Sequence, residues 1–177
     1  MTAPMPPRFT LADLEAANES WGCNCGPGAL AAICGLTLDD VRPHLGERWP
    51  GYTNPTTMTA ALRSLWRAGR IIAIKHLMRP DGSLPWPSWG LCRIQWEGPW
   101  TQPGVPMRAR YRFTHWIGTA TDPARGVGAF DINVLANGSG WCSLEDWSTH
   151  VAPVLAKDHN KRASGGWHVT HAIEVTR

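Results

Sequence analysis

The segment WGCNCGPGALAAICG, Trp21–Gly35, sets two cysteines one residue apart and follows the second with Gly-Pro and a run of small and apolar residues. That pattern suits a nucleophile at the start of a helix. Thiolate is the reactive form of cysteine, and its free pKa lies near about 8.5. A helix N-terminus lowers that value through its positive dipole end and its unpaired amides. Cys25-Gly26-Pro27 puts a sulfur at such a start, because Pro27 is tolerated where the first turn has no amide bond to lose. Gly26 leaves room for a substrate to come close, and the free amides can hold a developing oxyanion. Periodicity turns Cys34 into a core instead. Cys92 and Cys142, in or beside expected strands, read as small buried apolar residues. Cys23 is either a resolving thiol or structural, since a Cys-x-Cys pair closes poorly into a disulfide.

A thiol nucleophile needs an imidazole, and the imidazole needs a group that orients it. His115 sits in RYRFTHWIGTATD and Asp131 in GVGAFDINVL, two expected strands joined by a turn between Thr121 and Gly128. Period-2 alternation lets both face the helix that carries Cys25. Asn133, on the same face as Asp131 by alternation, is the second candidate orienter. Trp21 and Trp116, adjacent in sequence to the proposed catalytic groups, are candidates to line a substrate cleft, with more aromatic wall from the loop 80–89. The bland alternatives are a capping cysteine, a packed strand histidine and a buried carboxylate held by amides. His168 and His171 point to opposite faces of a strand, which argues against a shared metal. The chain lacks paired Cys-x-x-Cys spacing, and its Gly-rich pieces match no phosphate fingerprint. No metal or cofactor is expected.

These residues need elements to position them. Residues 1–10 form a Pro-rich lead-in, and helices are expected at Leu11–Asn18, from about Cys25 to Cys34 with Gly35 as its stop, and at Leu38–Leu45 capped by Thr37. A clearer helix is capped by Asn54, has Pro55 in its first turn, repeats Met58, Leu62 and Leu65 at helical spacing, and ends at Gly69. The pattern then changes to strands at Arg70–Lys75, Leu91–Trp96, Arg108–Thr121, Gly128–Leu135 and Trp167–Thr176. Between the last two lies a single helical turn, Ser143–Trp147. Helices first and strands second predict an α+β fold, with N-terminal helices packed on a C-terminal antiparallel β-sheet.

The 177 residues suit a single domain over residues 1–177, with 43% hydrophobic and 18% charged residues. Net charge is +3 with the basic residues scattered, so nucleic acid is not an expected partner. The N-terminus shows no secretory pattern, and no apolar run approaches the roughly 20 residues needed to span a bilayer. Five cysteines leave at least one thiol unpaired and fit no small disulfide framework. Together these predict a soluble, cytoplasmic protein with no membrane partner. The eleven tryptophans read first as core and cleft filler.

NCGPGALAAICGL, FTHWIG and FDINVLANGSGWCSLEDW, in that order, resemble the papain-like cysteine peptidase superfamily, closest in style to compact bacterial branches such as the leader peptidases of bacteriocin exporters. The resemblance covers Trp21–Gly35 and about Arg112–Trp147, less than a third of the chain. It implies a papain-like fold with Cys25 as nucleophile, His115 as general acid/base and Asp131 as orienter. The implied activity is a cysteine hydrolase, a peptidase or amidase working through a thioester acyl-enzyme on a peptide or other amide-bearing substrate. Two alternatives stand beside it: an acyltransferase or transglutaminase-like enzyme on the same triad, and a degenerate module that binds a peptide or small ligand. The family usually carries a glutamine six residues before the cysteine as oxyanion donor. Here that position is Glu19, with Asn18 one further back, so Asn18 and Glu19 are the auxiliary candidates. A charged carboxylate there would repel an oxyanion.

Overall fold

A computed structural model describes residues 6–46 and 51–177, and the first five residues of the Pro-rich lead-in lie outside the described residues. Helix α1, Leu11–Trp21, starts at a reciprocal cap in which Thr10 accepts from the Asp13 amide and Asp13 accepts from the Thr10 amide. Helix α2, Cys25–Cys34, is capped by Asn24 and stopped by Gly35 at φ 65°. Thr37 caps the short α3, Leu38–Val41, which runs into a 3₁₀ turn at Arg42–Leu45. Asn54 and Pro55 open α4, Pro55–Arg67. All of these follow from local signals in the sequence.

Six strands form one sheet: β1 Ala73–His76, β2 Trp89–Trp96, β3 Thr114–Asp122, β4 Gly126–Phe130, β5 Trp141–Ser143 and β6 Trp167–Thr176, in spatial order β1-β6-β2-β3-β4-β5. Every pairing is antiparallel. The chain is therefore α+β, with helices and a six-stranded antiparallel sheet.

Both faces of the sheet are covered. Leu91, Trp116, Phe130 and Ile173 pack into a core shared with α1 to α4, while their neighbours Cys92, Ile117, Ala129 and Ala172 pack into a second core on the other side. That second core is roofed by a C-terminal helical run absent from the sequence-based expectation. Ser143 caps the single turn α6, Leu144–Asp146, as expected, but the chain continues through a π-turn at Trp147–Val151 into α7, Ala152–His159. Pro153 explains the wide turn. Its ring cannot sit against an ordinary α-helical carbonyl four residues back, and the Ala152 amide instead reaches five residues back to Trp147. Strand character doubly buried in this way loses its alternation of polar and apolar residues.

Two expected strands are shorter than anticipated. The segment expected from Arg108 begins with a helical turn, α5 Met107–Arg110, and enters the sheet only at Thr114. The segment expected to run to Leu135 leaves the sheet after Phe130, because Asp131 caps a 3₁₀ helix at Ile132–Asn137 by accepting from the Asn133 amide. The second of these differences creates the site.

Candidate active site

The β3–β4 ladder ends at Gly118↔Phe130, while β3 continues back to Thr114. The edge of β3 facing β4 is thus unpaired by β4 over its first residues, and the start of α2 fills the gap. Glycines let the neighbouring segments close on the start of α2. A Cβ on Gly26 would lie 2.4 Å from Thr53 Oγ1, and one on Gly28 would lie 2.3 Å from Ile132 Cγ2. The segment before α4 ties the junction down, with Trp116 Nε1 donating to the Thr53 carbonyl at 2.7 Å and Asn24 Nδ2 donating to the Gly51 carbonyl.

Cys25 is the first residue of α2 and is partly exposed, whereas the other nine residues of that helix are buried. His115 is 2% exposed and Asp131 is fully buried. His115 Nε2 lies 2.7 Å from Asp131 Oδ2, and the same ring stands beside the Cys25 sulfur, each favouring the charged form of the other. With Nε2 committed to Asp131, the contact with sulfur falls to Nδ1. Cys25, His115 and Asp131 are therefore brought together as one chain of polar contacts. His115 and Asp131 do share a face of the sheet, but it is not the face against α2. His115 has the parity of Ile117, on the side roofed by α7, and it meets the sulfur around the open end of β3.

Asp131 has all its acceptor positions in use. Oδ2 accepts from His115 Nε2 and from Trp147 Nε1 at 2.8 Å; Oδ1 accepts from the Asn133 amide at 3.0 Å and from Asn133 Nδ2 at 2.8 Å. Asn133 thus donates to Asp131 rather than taking its place beside His115. The His115 ring is further fixed by stacking on Trp96, centroids 5.9 Å apart and planes 26° apart, with Trp147 stacked on Trp96 in turn.

Electrostatics follow from this geometry. Burial pushes the Cys25 thiol up, but the His115 charge, the polar contact with its ring and the Trp116 amide facing the sulfur outweigh that and hold it below the ordinary thiol value. Burial alone would depress His115, yet the carboxylate of Asp131 and the thiolate of Cys25 raise it well above the usual imidazole range. Asp131 is pushed up by burial and brought below the usual carboxylate value by the His115 charge and by its hydrogen-bond donors. The remaining thiols go the other way: burial pushes Cys23, Cys34 and Cys92 up to about 12 and Cys142 up to about 11. Only the sulfur at the helix start combines access with a stabilised thiolate.

The α2 N-terminus also leaves one amide for a ligand. Gly26 donates to Asn24 Oδ1 at 3.1 Å, Pro27 has no N–H, and Gly28 donates to the Asn24 carbonyl at 3.1 Å. The Cys25 amide takes no partner among the described residues. Asn18 and Glu19 are not brought to the site: both are exposed on α1, and neither lines the cleft beside Cys25. The helix that was expected to end at Asn18 continues to Trp21, which fixes both side chains on its outer surface.

That cleft encloses about 210 Å³. Trp116 lines it, as expected, but Trp21 does not; it lies under Arg42, whose guanidinium is 5.6 Å from the ring centroid. Nor does the loop 80–89 supply a wall, since Trp86 packs on Trp167 and Trp89 on Trp141. Sequence reasoning missed Tyr52, Thr114, Arg112 and His159, all of which line the cleft. It also missed Trp147 behind Asp131. The spacing of Trp147, Ala152 and Ala156 carries a helical signal, but Pro153 interrupts it. His159, at the end of α7, is 6.3 Å from His115 between ring centroids; burial and the neighbouring His115 charge hold it below the usual imidazole value. Among the described residues no group of three or more His, Cys, Asp and Glu side chains is placed to hold a metal ion, and no helix is long and apolar enough to cross a membrane.

The chain matches no family of known proteins. Nor does any curated protein or solved structure match it.

Proposed function

We propose that the protein is a papain-like cysteine hydrolase that cleaves an amide or ester through a thioester acyl-enzyme. The observation that carries this reading is the partly exposed Cys25 beside a buried His115–Asp131 pair bonded at 2.7 Å. The order of the parts supports the papain-like assignment: a cysteine opening a helix, a histidine early in a strand, and an acid at the end of the next strand.

In this reading the resting site is a thiolate–imidazolium pair. The thiolate attacks the carbonyl carbon, and the oxygen takes up charge at the start of α2, where the Cys25 amide is available and the helix dipole is positive. His115 gives its Nδ1 proton to the leaving amine or alcohol. Water then attacks the thioester, His115 takes its proton back, and the acid product leaves the thiolate restored. Asp131 holds the ring with Nδ1 towards sulfur and stabilises its charge without itself taking the proton.

The test is p-nitrophenyl acetate with mass detection of the intact protein. The expected result is a burst of one equivalent of nitrophenolate, an acetyl group on Cys25, and loss of that group to water faster than from an acetyl thioester of a free thiol. Acetylation that persists in Cys25→Ala and vanishes in Cys23→Ala would overturn the assignment, and an acetyl-Cys25 as inert as a free thioester would favour a binding module.

A further inference from the structure

We propose that the cleft beside Cys25 selects substrates bearing a free carboxylate, held by the hydroxyl pair of Tyr52 and Thr114 over Arg93 and by Arg112. This rests on the reading of Cys25 as the nucleophile and names the substrate class of the same site.

Arg93 lies on β2, opposite Trp116 on one side and His171 on the other, and is 3% exposed. A guanidinium taken out of water needs a counter-charge or a full set of acceptors. Arg93 has neither among the described residues. No carboxylate forms an ion pair with it, and its buried Nε has no hydrogen-bond partner. His171 beside it is no counter-ion, being itself held below the usual imidazole value by burial and by the charge of Arg93.

The Arg93 guanidinium carbon lies 5.9 Å from the Tyr111 ring centroid, and its hydrogen bonds go to the cleft wall. Its Nη2 donates to Tyr52 Oη at 2.7 Å and to Thr114 Oγ1 at 3.1 Å, and those two oxygens lie 3.0 Å apart. The two hydroxyls carry two protons between them. One is used in the bond between the pair. Both oxygens already accept from Arg93, so the second proton is left to point at an acceptor outside the pair, and Tyr52 and Thr114 both line the cleft. A buried cation thus presents its charge through a hydroxyl donor. Arg112, exposed on the same cleft, adds a second cation, and none of the described lining residues is an acid. A carboxylate satisfies the free hydroxyl, the charge of Arg93 and the guanidinium of Arg112 together. It can belong to a chain terminus or to an acidic side chain.

The experiment compares three alkylating probes on the full chain at pH 6.5: N-iodoacetyl-glycinamide, N-iodoacetyl-glycine and the α-amide of N-iodoacetyl-aspartate. In each the Cys25 thiolate forms a carbon–sulfur bond as iodide leaves with the bonding pair. The probes share one electrophile, and the last two add a carboxylate, terminal or on a side chain. Rates at Cys25 are read by mass spectrometry and divided by the rate of the neutral probe, a ratio that cancels changes in the thiolate itself. At least one acidic probe is expected to be favoured by about tenfold, with Tyr52→Phe and Arg112→Gln each lowering that ratio several-fold; which acid is favoured names the source. Ratios near one in the wild type, or ratios that neither substitution moves, overturn the proposal. Labelling by the neutral probe no faster than that of glutathione would instead overturn the nucleophile on which it rests.

Discussion

Replacing Asp131 with asparagine tests the site at its most constrained atom. The change keeps shape and removes charge. Both oxygens of Asp131 accept only from donors: His115 Nε2 and Trp147 Nε1 on one, and the Asn133 amide and side chain on the other. Whichever way the new amide turns, its NH₂ meets donors, so at least one buried bond is lost and one N–H repelled. Removing one partner of a buried ion pair costs about 3–5 kcal/mol. Taking the low end, about 3 kcal/mol, the thiolate–imidazolium form becomes about 100-fold rarer near pH 6. A thiolate that is less stabilised is intrinsically a better nucleophile, which recovers about tenfold. Alkylation of Cys25 by iodoacetamide at pH 6 is therefore expected to slow by between about 10- and 100-fold. At pH 9.5, where an ordinary thiol is mostly ionised, the two proteins should react within a few-fold of each other. Equal rates at pH 6 in a folded variant would refute the claim that Asp131 sustains the charge on His115. A rate loss that persists undiminished at pH 9.5 would show that access, and not ionisation, had changed.

Other outcomes follow from the same geometry. Folded protein treated with 5,5′-dithiobis(2-nitrobenzoate) at pH 7 should release one equivalent of thionitrobenzoate, from Cys25, and the other four only on unfolding, because burial pushes those thiols up to about 11 or about 12. His115→Gln should abolish fast alkylation near neutrality, whereas His159→Gln should retain most of it, since burial and the charge of His115 hold His159 below the usual imidazole value; the rates at Cys25 decide between them. Gly26→Ala should lower stability in urea unfolding by about 1–3 kcal/mol, as its Cβ would meet Thr53 Oγ1 at 2.4 Å. The pH dependence of stability also has a definite sign. Asp131 is lowered on folding, so its contribution is full above about pH 4 and is lost as pH falls through the folded value; His115 is raised, so its contribution is full below about pH 6.5 and is lost as pH climbs through the folded value. The Tm difference between wild type and Asp131→Asn should be largest between those limits.

Elements with strong end signals were legible from the residues. Thr37 and Asn54 cap helices where the sequence places them, and Gly35 stops α2. Cys25 could be read because helix-start chemistry is local. His115 and Asp131 could be named because a turn joins their segments, yet their face could not, since alternation fixes which residues go together and not which core they enter. The apolar INVL run reads Asp131 as a strand residue, and only its carboxylate, accepting from the Asn133 amide, reveals the cap. Trp21 was misplaced by proximity in sequence: Gly22, at φ 75°, turns the chain between it and Cys25. Arg93, Tyr52 and His159 were invisible because each reaches the cleft from a different element and none sits in a local pattern.

Each group that would act in the reaction stands at the margin of its element. Cys25 opens α2, His115 is the second residue of β3, and Asp131 lies just past β4. Apart from Arg93, the middle of the sheet supplies volume and stiffness and no chemistry. Exchanges among Leu91, Ile117 and Ile173 that keep total volume should then alter melting temperature while leaving turnover alone, so that foldedness and activity can be engineered on separate sets of positions.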